Sequence, residues 1–214
     1  MKNNTKVSSA IIRRLPRYQR YLGELRKQGV TKISSNELSE LIGYTASQIR
    51  QDLNTFGGFG QQGYGYSVDN LYEEINKILG LDKEYKTVVV GVGNLGHAIT
   101  NHTNSYKNGF HIVGLFDVNP GIIGKTVNDV EVRDSSMLEE FCRENAVDIG
   151  IICVNKGNAQ EVADTLIRGG ISGIWNFAPI DLEVPAEVAI ENVHLSDSLH
   201  TLSFLIRNNQ ALNG

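Results

Sequence analysis

The residues with the clearest chemistry form a glycine motif between a β-branched run and a helical pattern. Residues 87–90 are Thr-Val-Val-Val, and a helical pattern follows over residues 98–103. In the spacing G-x-G-x-x-G, the first glycine permits a tight turn, the second admits a pyrophosphate, and the third lets helix and strand pack closely. The N–H groups that open the helix point at the phosphates. This pattern predicts a dinucleotide cradle made of Gly91, Val92, Gly93, Asn94, Leu95 and Gly96.

An acidic residue stands where such a site needs one. The apolar run 111–116 ends in Asp117, which lies 21 residues beyond Gly96. A carboxylate at this distance bonds the adenosine ribose hydroxyls. It would also repel a 2′-phosphate, so we expect NADH and NAD⁺ rather than their phosphorylated forms, with Val118 in the same subsite. The alternative is an Asp that only caps the turn before Pro120.

The elements around the motif predict a doubly wound sheet. Strand patterns recur at residues 147–154 and 174–177, and helical patterns at 136–145 and 158–168. Alternation of strand and helix is typical of a parallel sheet, whose ligands bind at the carboxyl ends of the strands. We therefore expect the nicotinamide side to be walled by Cys153, Val154, Asn176, Phe177, Ala178 and Pro179.

The first part of the chain has a different charge and a different pattern. Residues 1–56 carry 10 basic and 4 acidic side chains, whereas residues 81–214 carry 9 and 17. Ser34 with Glu37 and Thr45 with Gln48 have the spacing of capping boxes, and Gly43 between them is suited to end a helix. The pattern predicts a helix-turn-helix, whose second helix enters the DNA major groove.

That second helix would present Ser47, Gln48, Arg50 and Gln51 to DNA. Glutamine can bond adenine, and arginine can bond guanine or a phosphate. Five glycines interleaved with aromatic residues follow at 57–66, and they predict a hairpin that would form the wing of a winged helix. A solvated basic face or an oligomerisation bundle remains the alternative.

Composition excludes several classes of protein. Apolar residues make up 41% and charged residues 21% of the 214 residues, which is ordinary for a globular protein. No run approaches the roughly 18 apolar residues of a membrane span, so we expect no membrane partner and a cytoplasmic location. Cys142 and Cys153 have no metal or disulfide spacing and are expected to be reduced thiols. No metal site and no catalytic residue is predicted.

Four motifs in order make the chain resemble the Rex family of redox-sensing transcriptional repressors over essentially its whole length. They are the recognition-helix stretch from Thr45, Ala46 and Ser47 to Leu53 with Phe56-Gly57, the wing end Gly63-Tyr64-Gly65-Tyr66, Ile78-Leu79-Gly80-Leu81, and Asn176-Phe177-Ala178-Pro179. The resemblance implies a homodimer that binds a palindromic operator and releases it when NADH replaces NAD⁺. It also implies that the terminal helix is exchanged between subunits.

The predicted architecture is therefore α/β: an N-terminal winged helix-turn-helix domain, a Rossmann-type parallel-sheet NAD(H)-binding domain, and a domain-swapped C-terminal helix. We expect the first at residues 1–80, with the helix-turn-helix at about 17–56 and the wing at about 57–67. The second is expected at 81–196, and the dimerisation helix at 197–214. The remaining expected DNA contacts are Arg14, Arg17, Thr45, Ala46, Gln61, Gln62 and Tyr64.

A switch network is also implied by the resemblance. Many family members link an Arg of the first helix, a Tyr of the helix after the glycine loop, and an Asp before the terminal helix. Arg20 matches the first position, whereas His102 and His194 stand at the other two. Two rival functions stay open: a sensor of another nucleotide such as coenzyme A, and an NAD-dependent dehydrogenase.

Overall fold

The computed structural model describes residues 7–57, 60–61, 65–105 and 109–212, and it divides the chain into two compact units. Unit 1 spans Met1–Lys83 and unit 2 spans Glu84–Gly214. No helix in the described ranges is both long and apolar enough to cross a membrane.

Unit 1 is built from five helices and a small antiparallel sheet within the described residues. Its elements are α1 (Ser9–Ile12), α2 (Leu15–Lys27), β1 (Lys32–Ile33), α3 (Ser35–Ile42), α4 (Ala46–Asn54), β2 (Gly60–Gln61), β3 (Gly65–Ser67) and α5 (Val68–Leu79). Pro16 lies in the first turn of α2, where a missing N–H costs nothing. The three strands are ordered β1-β3-β2.

The predicted helix-turn-helix is present with its caps. Ser34 and Glu37 form a reciprocal capping box at the start of α3, which ends at Gly43 in the left-handed conformation. Thr45 accepts from the Gln48 amide and so begins α4. The buried faces of these helices meet α2 and α5 in one core, whose members include Leu15, Tyr18, Leu22, Leu38, Ile42, Ile49, Leu53, Leu71 and Ile75.

Unit 2 is a twisted sheet with helices on both faces. Its elements are β4 (Tyr85–Val90), α6 (Asn94–Ser105), β5 (Phe110–Asp117), β6 (Thr126–Val127), β7 (Val130–Asp134), α7 (Leu138–Asn145), β8 (Ile149–Ile152), α8 (Ala159–Arg168), β9 (Gly173–Asn176), β10 (Ala189–Asn192) and α9 (Leu195–Leu212). The strand order is β10-β9-β8-β4-β5-β7-β6. Side chains of β4 alternate between two cores, with Val88 and Val90 on the α7–α8 side and Val89 on the other.

The expectation of a parallel sheet needs one correction. All neighbouring strands from β10 to β7 are parallel, but β6 pairs antiparallel with β7. The two are joined by Asn128 and Asp129, which both have positive φ angles. A two-residue turn of this kind favours an antiparallel hairpin.

The terminal helix α9 presents its apolar side chains to solvent in the single chain. Leu199 is 65% exposed and Phe204 is 62% exposed, and Leu195, Leu202, Leu205 and Ile206 are each at least half exposed. So many large apolar side chains at a surface are typical of an interaction site.

Candidate functional site

The carboxyl ends of neighbouring strands are tied together beside the glycine loop. The Gly91 amide donates to the Phe116 carbonyl of β5 at 2.8 Å, and the Cys153 amide donates to the Val90 carbonyl of β4 at 2.8 Å. The sheet order reverses direction at β4, since β5 lies on one side of it and β8 on the other. Ligands of open α/β sheets bind at such a switch point.

Each of the three positions of the motif favours glycine for a different structural reason. Gly91 has φ +91°, and a Cβ there would lie 2.7 Å from the Cys153 carbonyl oxygen. A Cβ on Gly96 would overlap the Gly91 carbonyl oxygen, so this glycine lets α6 pack against the loop. A Cβ on Gly93 would meet no atom within 4 Å. The loop therefore faces open space at Gly93, directly before α6 begins, which suits a phosphate group.

Asp117 lies beside this loop at the end of β5. Its Oδ2 accepts from the Val92 amide at 2.7 Å, and its Oδ1 accepts from the Asn119 amide at 2.9 Å. The carboxylate thus braces the middle of the glycine loop and is half-buried rather than free in solvent. A carboxylate has about four lone-pair sites, so two amides leave accepting capacity for hydroxyl donors.

A cavity of about 480 Å³ opens at this edge of the sheet. Ligand pockets commonly have about 300–1,000 Å³. Four predicted residues line it: Gly91, Asp117, Val118 and Val154. The other lining residues are Val90, Ser135, Ser136, Leu138, Glu139, Asn158, Glu161, Val162, Thr165 and Arg168.

The charge of Glu139 in this wall is balanced by two arginines. Its carboxylate accepts from Arg168 Nε at 2.9 Å and from Arg143 Nη2 at 2.7 Å. Those bonds, Arg168 first, hold the pKa of Glu139 below its usual value. The wall nevertheless keeps an excess of acidic side chains, because Asp117 and Glu161 also line it and Arg168 is its basic residue.

The predicted residues 176–179 are tied into a turn of their own. Asn176 is fully buried, and its Nδ2 donates to the Ile180 carbonyl at 2.7 Å and to Asn192 Oδ1 at 2.9 Å. Its Oδ1 accepts from the Ala178 amide at 2.9 Å. Asn176 therefore shapes the loop after β9, and it exposes no polar atom to a ligand. Phe177 packs on Trp175 with ring centroids 4.6 Å apart, Ala178 is buried and Pro179 is exposed.

The two thiols are protonated at neutral pH. Burial raises the pKa of Cys153 to about 12 and that of Cys142 to about 11. Neither is in a disulfide. Within the residues that the structure describes, no group of three or more His, Cys, Asp or Glu side chains is placed to hold a metal ion.

In unit 1, α4 presents a polar outer face. Ser47, Arg50 and Gln51 are exposed, while Ala46 and Gln48 are half-buried and Thr45 is exposed at the helix start. Arg50 Nη1 donates to Ser35 Oγ of α3 at 2.8 Å. Arg17 of α2 is exposed, and its guanidinium lies 5.1 Å from the centroid of the Tyr44 ring. Tyr44 belongs to the turn between α3 and α4. Gln62, Tyr64 and the side chain of Gln61 lie outside the described residues.

Two other predicted DNA contacts are directed into unit 1. Arg14 donates twice to the buried Asp52 carboxylate, from Nε at 2.6 Å and from Nη2 at 2.7 Å. Gln48 Nε2 donates to the same carboxylate at 2.9 Å, and so does the Tyr18 hydroxyl at 2.8 Å. Burial alone would raise the pKa of Asp52, but these three donors outweigh it and hold that pKa below its usual value.

The three expected switch residues occupy exposed or half-exposed positions. Arg20 is exposed on α2, with its guanidinium 5.5 Å from the Tyr21 ring centroid. His102 lies on the exposed face of α6. His194, directly before α9, is 3.0 Å from Asp181 Oδ1 through its Nε2.

Sequence reasoning missed the wall of the cavity after β7. Ser135, Ser136 and Leu138 follow a five-residue strand with an alternating pattern, Val-Glu-Val-Arg-Asp. Recognising that strand would have placed its carboxyl end at the same edge of the sheet and brought these residues into the site.

Comparison with known proteins matches both units. Residues 6–54 match the family model described as "Putative DNA-binding protein N-terminus", and residues 82–180 match the model for a CoA binding domain. The redox-sensing transcriptional repressor Rex of Thermoanaerobacter pseudethanolicus is 61% identical over 95% of this chain and 91% of its own length. The Rex of Clostridioides difficile is 56% identical over 97% of this chain and 99% of its own.

Solved structures give the same answer. The repressor RSP, crystallised in complex with β-NAD⁺ and operator DNA, is 58% identical, with a TM-score of 0.90 over 98% of this chain and 97% of its own. RSP in complex with β-NADH is 55% identical with the same TM-score, over 98% of this chain and 99% of its own. RSP is described as a Rex-family repressor. With such identity along nearly the whole chain and both units accounted for, this protein belongs to the Rex family of redox-sensing transcriptional repressors.

Proposed function

We propose that this chain is a DNA-binding repressor that senses the ratio of NADH to NAD⁺ and leaves its operator when NADH binds. The observation that carries the proposal is the unbroken match, 58% identical over 98% of the chain, to a repressor crystallised with β-NAD⁺ and operator DNA. The match spans helix α4 of unit 1 and the glycine loop of unit 2, so DNA binding and NAD(H) binding are proposed for one molecule.

Unit 2 is proposed to hold NAD(H). The glycine loop 91–96 would receive the pyrophosphate at the start of α6, and Asp117 would accept the ribose hydroxyls. The same carboxylate would repel a 2′-phosphate and exclude NADPH. Oxidised and reduced cofactors differ by the positive charge of the nicotinamide ring, and this difference is the signal. A ligand shifts an equilibrium between two shapes only through its different affinity for each.

Unit 1 is proposed to hold the operator through the outer face of α4. Ser47, Arg50 and Gln51 are exposed there, and arginine pairs well with guanine. Arg17, exposed near the same turn, is proposed as a phosphate contact. The strands β2 and β3 are proposed as the base of the wing.

The working form is proposed to be a homodimer joined through α9. Six large apolar side chains of this helix are at least half exposed in the single chain, and a second subunit would cover them. A symmetric dimer matches a palindromic operator whose half-sites lie about 34–36 Å apart, or a multiple of that distance. Exchange of α9 between subunits is part of this proposal.

The relatives are repressors, and we propose that this chain acts in the cytoplasm and has no enzymatic role. A sensor of coenzyme A is the second candidate, because residues 82–180 match a CoA binding domain model. Calorimetry with NADH, NAD⁺ and coenzyme A separates the two. Tighter binding of coenzyme A than of NADH would favour the second candidate.

The deciding experiment is operator affinity with and without NADH. NADH should weaken operator binding, and linkage requires operator DNA to weaken NADH binding by the same factor. Arg20→Ala tests the proposed switch, since it should reduce that coupling while NADH affinity stays largely intact. An operator affinity that NADH leaves unchanged in the wild-type protein would refute redox sensing.

A further inference from the structure

The recognition helix α4 carries a charged residue on its inner face. Asp52 is fully buried, and its carboxylate accepts four hydrogen bonds: two from Arg14, one from the Tyr18 hydroxyl and one from Gln48. A charge is tolerated inside a protein when it is paired and hydrogen-bonded. Arg14 and Tyr18 belong to the start of α2, so their three bonds join α4 to α2, whereas the Gln48 bond lies within α4. We call these four bonds the Asp52 cluster.

The cluster occupies two side chains that could otherwise reach DNA. Bidentate recognition of adenine needs the glutamine amide both to donate and to accept. Gln48 commits one of its two Nε2 hydrogens to the buried Asp52 carboxylate, and this bond turns its amide toward the core of unit 1. Arg14 is in the same position, because two of its donors are committed to Asp52 and its side chain is 21% exposed.

Arg50 differs from both. Arg50 donates to a neutral hydroxyl, Ser35 Oγ, and the pair lies at the surface. Water or a base edge can replace this bond, because the pair is exposed to solvent and the guanidinium keeps its other donors available. The exposed face of α4 therefore carries an arginine, Arg50, that can turn toward a DNA base.

The Asp52 cluster also fixes the orientation of α4, which apolar packing alone does not. Ile49 and Leu53 bury the helix in the core, but hydrophobic contact is not directional. The helix α2 is held independently against α5, where Arg26 pairs with Asp69 at 2.7 Å and with Glu73 at 2.8 Å. The three bonds that Arg14 and Tyr18 donate to Asp52 thus tie α4 to a helix that has its own contacts with α5.

We propose that Asp52 is a positioning residue for operator recognition. Together with Arg14, Tyr18 and Gln48 it sets the angle of α4 on α2, and base reading falls to Ser47, Arg50 and Gln51. Arg14 and Gln48 act through α4 and do not contact DNA. The inference rests on the proposed function, because it takes α4 as the helix that reads the operator.

The test uses the full-length protein and the palindromic DNA that the wild type selects from a random duplex library. Operator affinity is measured for Gln48→Ala, Tyr18→Phe and, as the matched exposed control, Gln51→Ala, on the selected site and on sites with each base pair replaced in turn. Circular dichroism identifies a temperature at which every variant is folded. A merely structural role would leave operator affinity intact under those conditions.

We expect Gln48→Ala and Tyr18→Phe to weaken binding by about tenfold, the weight of one charge-assisted hydrogen bond. The loss should be the same for every base-pair replacement. Arg50→Ala, in contrast, should flatten the preference at one or two positions. If Gln48→Ala flattens the preference at a single A·T pair, Gln48 is a reader and the inference is wrong. Folded Tyr18→Phe with wild-type affinity would also overturn it.

Salt dependence supplies an independent readout for Arg14. Each phosphate contact contributes about 0.9 to the slope of log affinity against log salt concentration. Arg14→Gln should weaken binding with the wild-type slope, and Arg13→Gln, an exposed neighbour on the same segment, is the charge-matched control. A slope that falls by about one unit in Arg14→Gln would make Arg14 a phosphate contact and refute its role in the cluster. A wild type that selects no DNA would instead overturn the proposed function, and this inference with it.

Discussion

Replacing Asp117 with asparagine removes the charge that we expect to face the adenosine ribose. The carboxylate accepts backbone bonds from Val92 N at 2.7 Å and from Asn119 N at 2.9 Å. Asparagine has one accepting oxygen, so its NH₂ would face one of these donors and that bond would be lost. The ribose hydroxyls would lose a charged acceptor as well, and a hydrogen bond to a charged group contributes about 1.5–3 kcal/mol. NADH binding should therefore weaken about 10- to 150-fold, at 1.4 kcal/mol per tenfold.

The same substitution should affect NADPH differently. Its 2′-phosphate is no longer repelled, so the preference for NADH over NADPH should narrow. Isothermal titration calorimetry with NADH and with NADPH measures the ratio of the two affinities. Asp164→Asn is the control, because Asp164 is exposed on α8 and its carboxylate accepts a bond from the Gln160 side chain. Wild-type protein that binds NADPH as tightly as NADH, or a ratio unchanged in Asp117→Asn, would refute the assignment.

Three further predictions concern DNA, assembly and acid stability. Arg50→Ala should cost about 1–3 kcal/mol of operator affinity and leave NADH affinity unchanged, as gel shifts and calorimetry will show; equal operator binding would contradict the recognition-helix assignment. Deleting residues 199–214 should give monomers in sedimentation, or a dimer whose DNA affinity ignores NADH; a dimer that still responds to NADH would exclude a coupling role for α9. Because the pKa of folded Asp52 is lowered, its contribution to stability is present above the unfolded value of about 3.9 and is lost as the pH falls through the folded value. The free energy of unfolding, measured in urea, should therefore fall less steeply below about pH 4 in Asp52→Asn than in the wild type. An equal fall in the two proteins would contradict this prediction.

Elements with strong local signals were predictable from the sequence. Ser34 and Glu37 cap α3 reciprocally, Gly43 ends it in the left-handed conformation, and the glycine loop follows β4 as its spacing requires. In each case the signal lies within a few residues of the structure that it specifies. The sequence therefore predicted the helix-turn-helix and the turn that joins β4 to α6 correctly.

Elements specified by distant neighbours were not predictable in this way. The strand β1 has two residues, too few to show a period, and it exists because Lys32 and Ile33 pair with Ser67 and Tyr66 of β3. The β6–β7 hairpin was missed as well, and with it the cavity wall that follows β7. A short strand carries little periodic signal, and pairing across the chain decides its state.

Gln48 shows the same limit within the site. Its spacing from Thr45 suggested a capping box with a polar side chain at the surface, and Thr45 does cap the helix through the Gln48 amide. The side chain instead turns to Asp52, four residues later on the same face of α4. The spacing of Gln48 and Asp52 permits this bond, but a buried Asp52 also needs the charge of Arg14, which is 38 positions before it in the chain. No local rule connects two residues at that separation.

The helical period divides the polar residues of α4 between two tasks. Gln48 and Asp52 are four positions apart and share the inner face, where they meet α2. Ser47, Arg50 and Gln51 are three and one positions apart and share the outer face, which is exposed. A reading helix must hold its outward side chains in a fixed register to discriminate bases, and the inner polar pair supplies directional bonds for that purpose. We therefore propose that specificity in this helix depends on the inner Gln48 and Asp52 as well as on the exposed Ser47, Arg50 and Gln51.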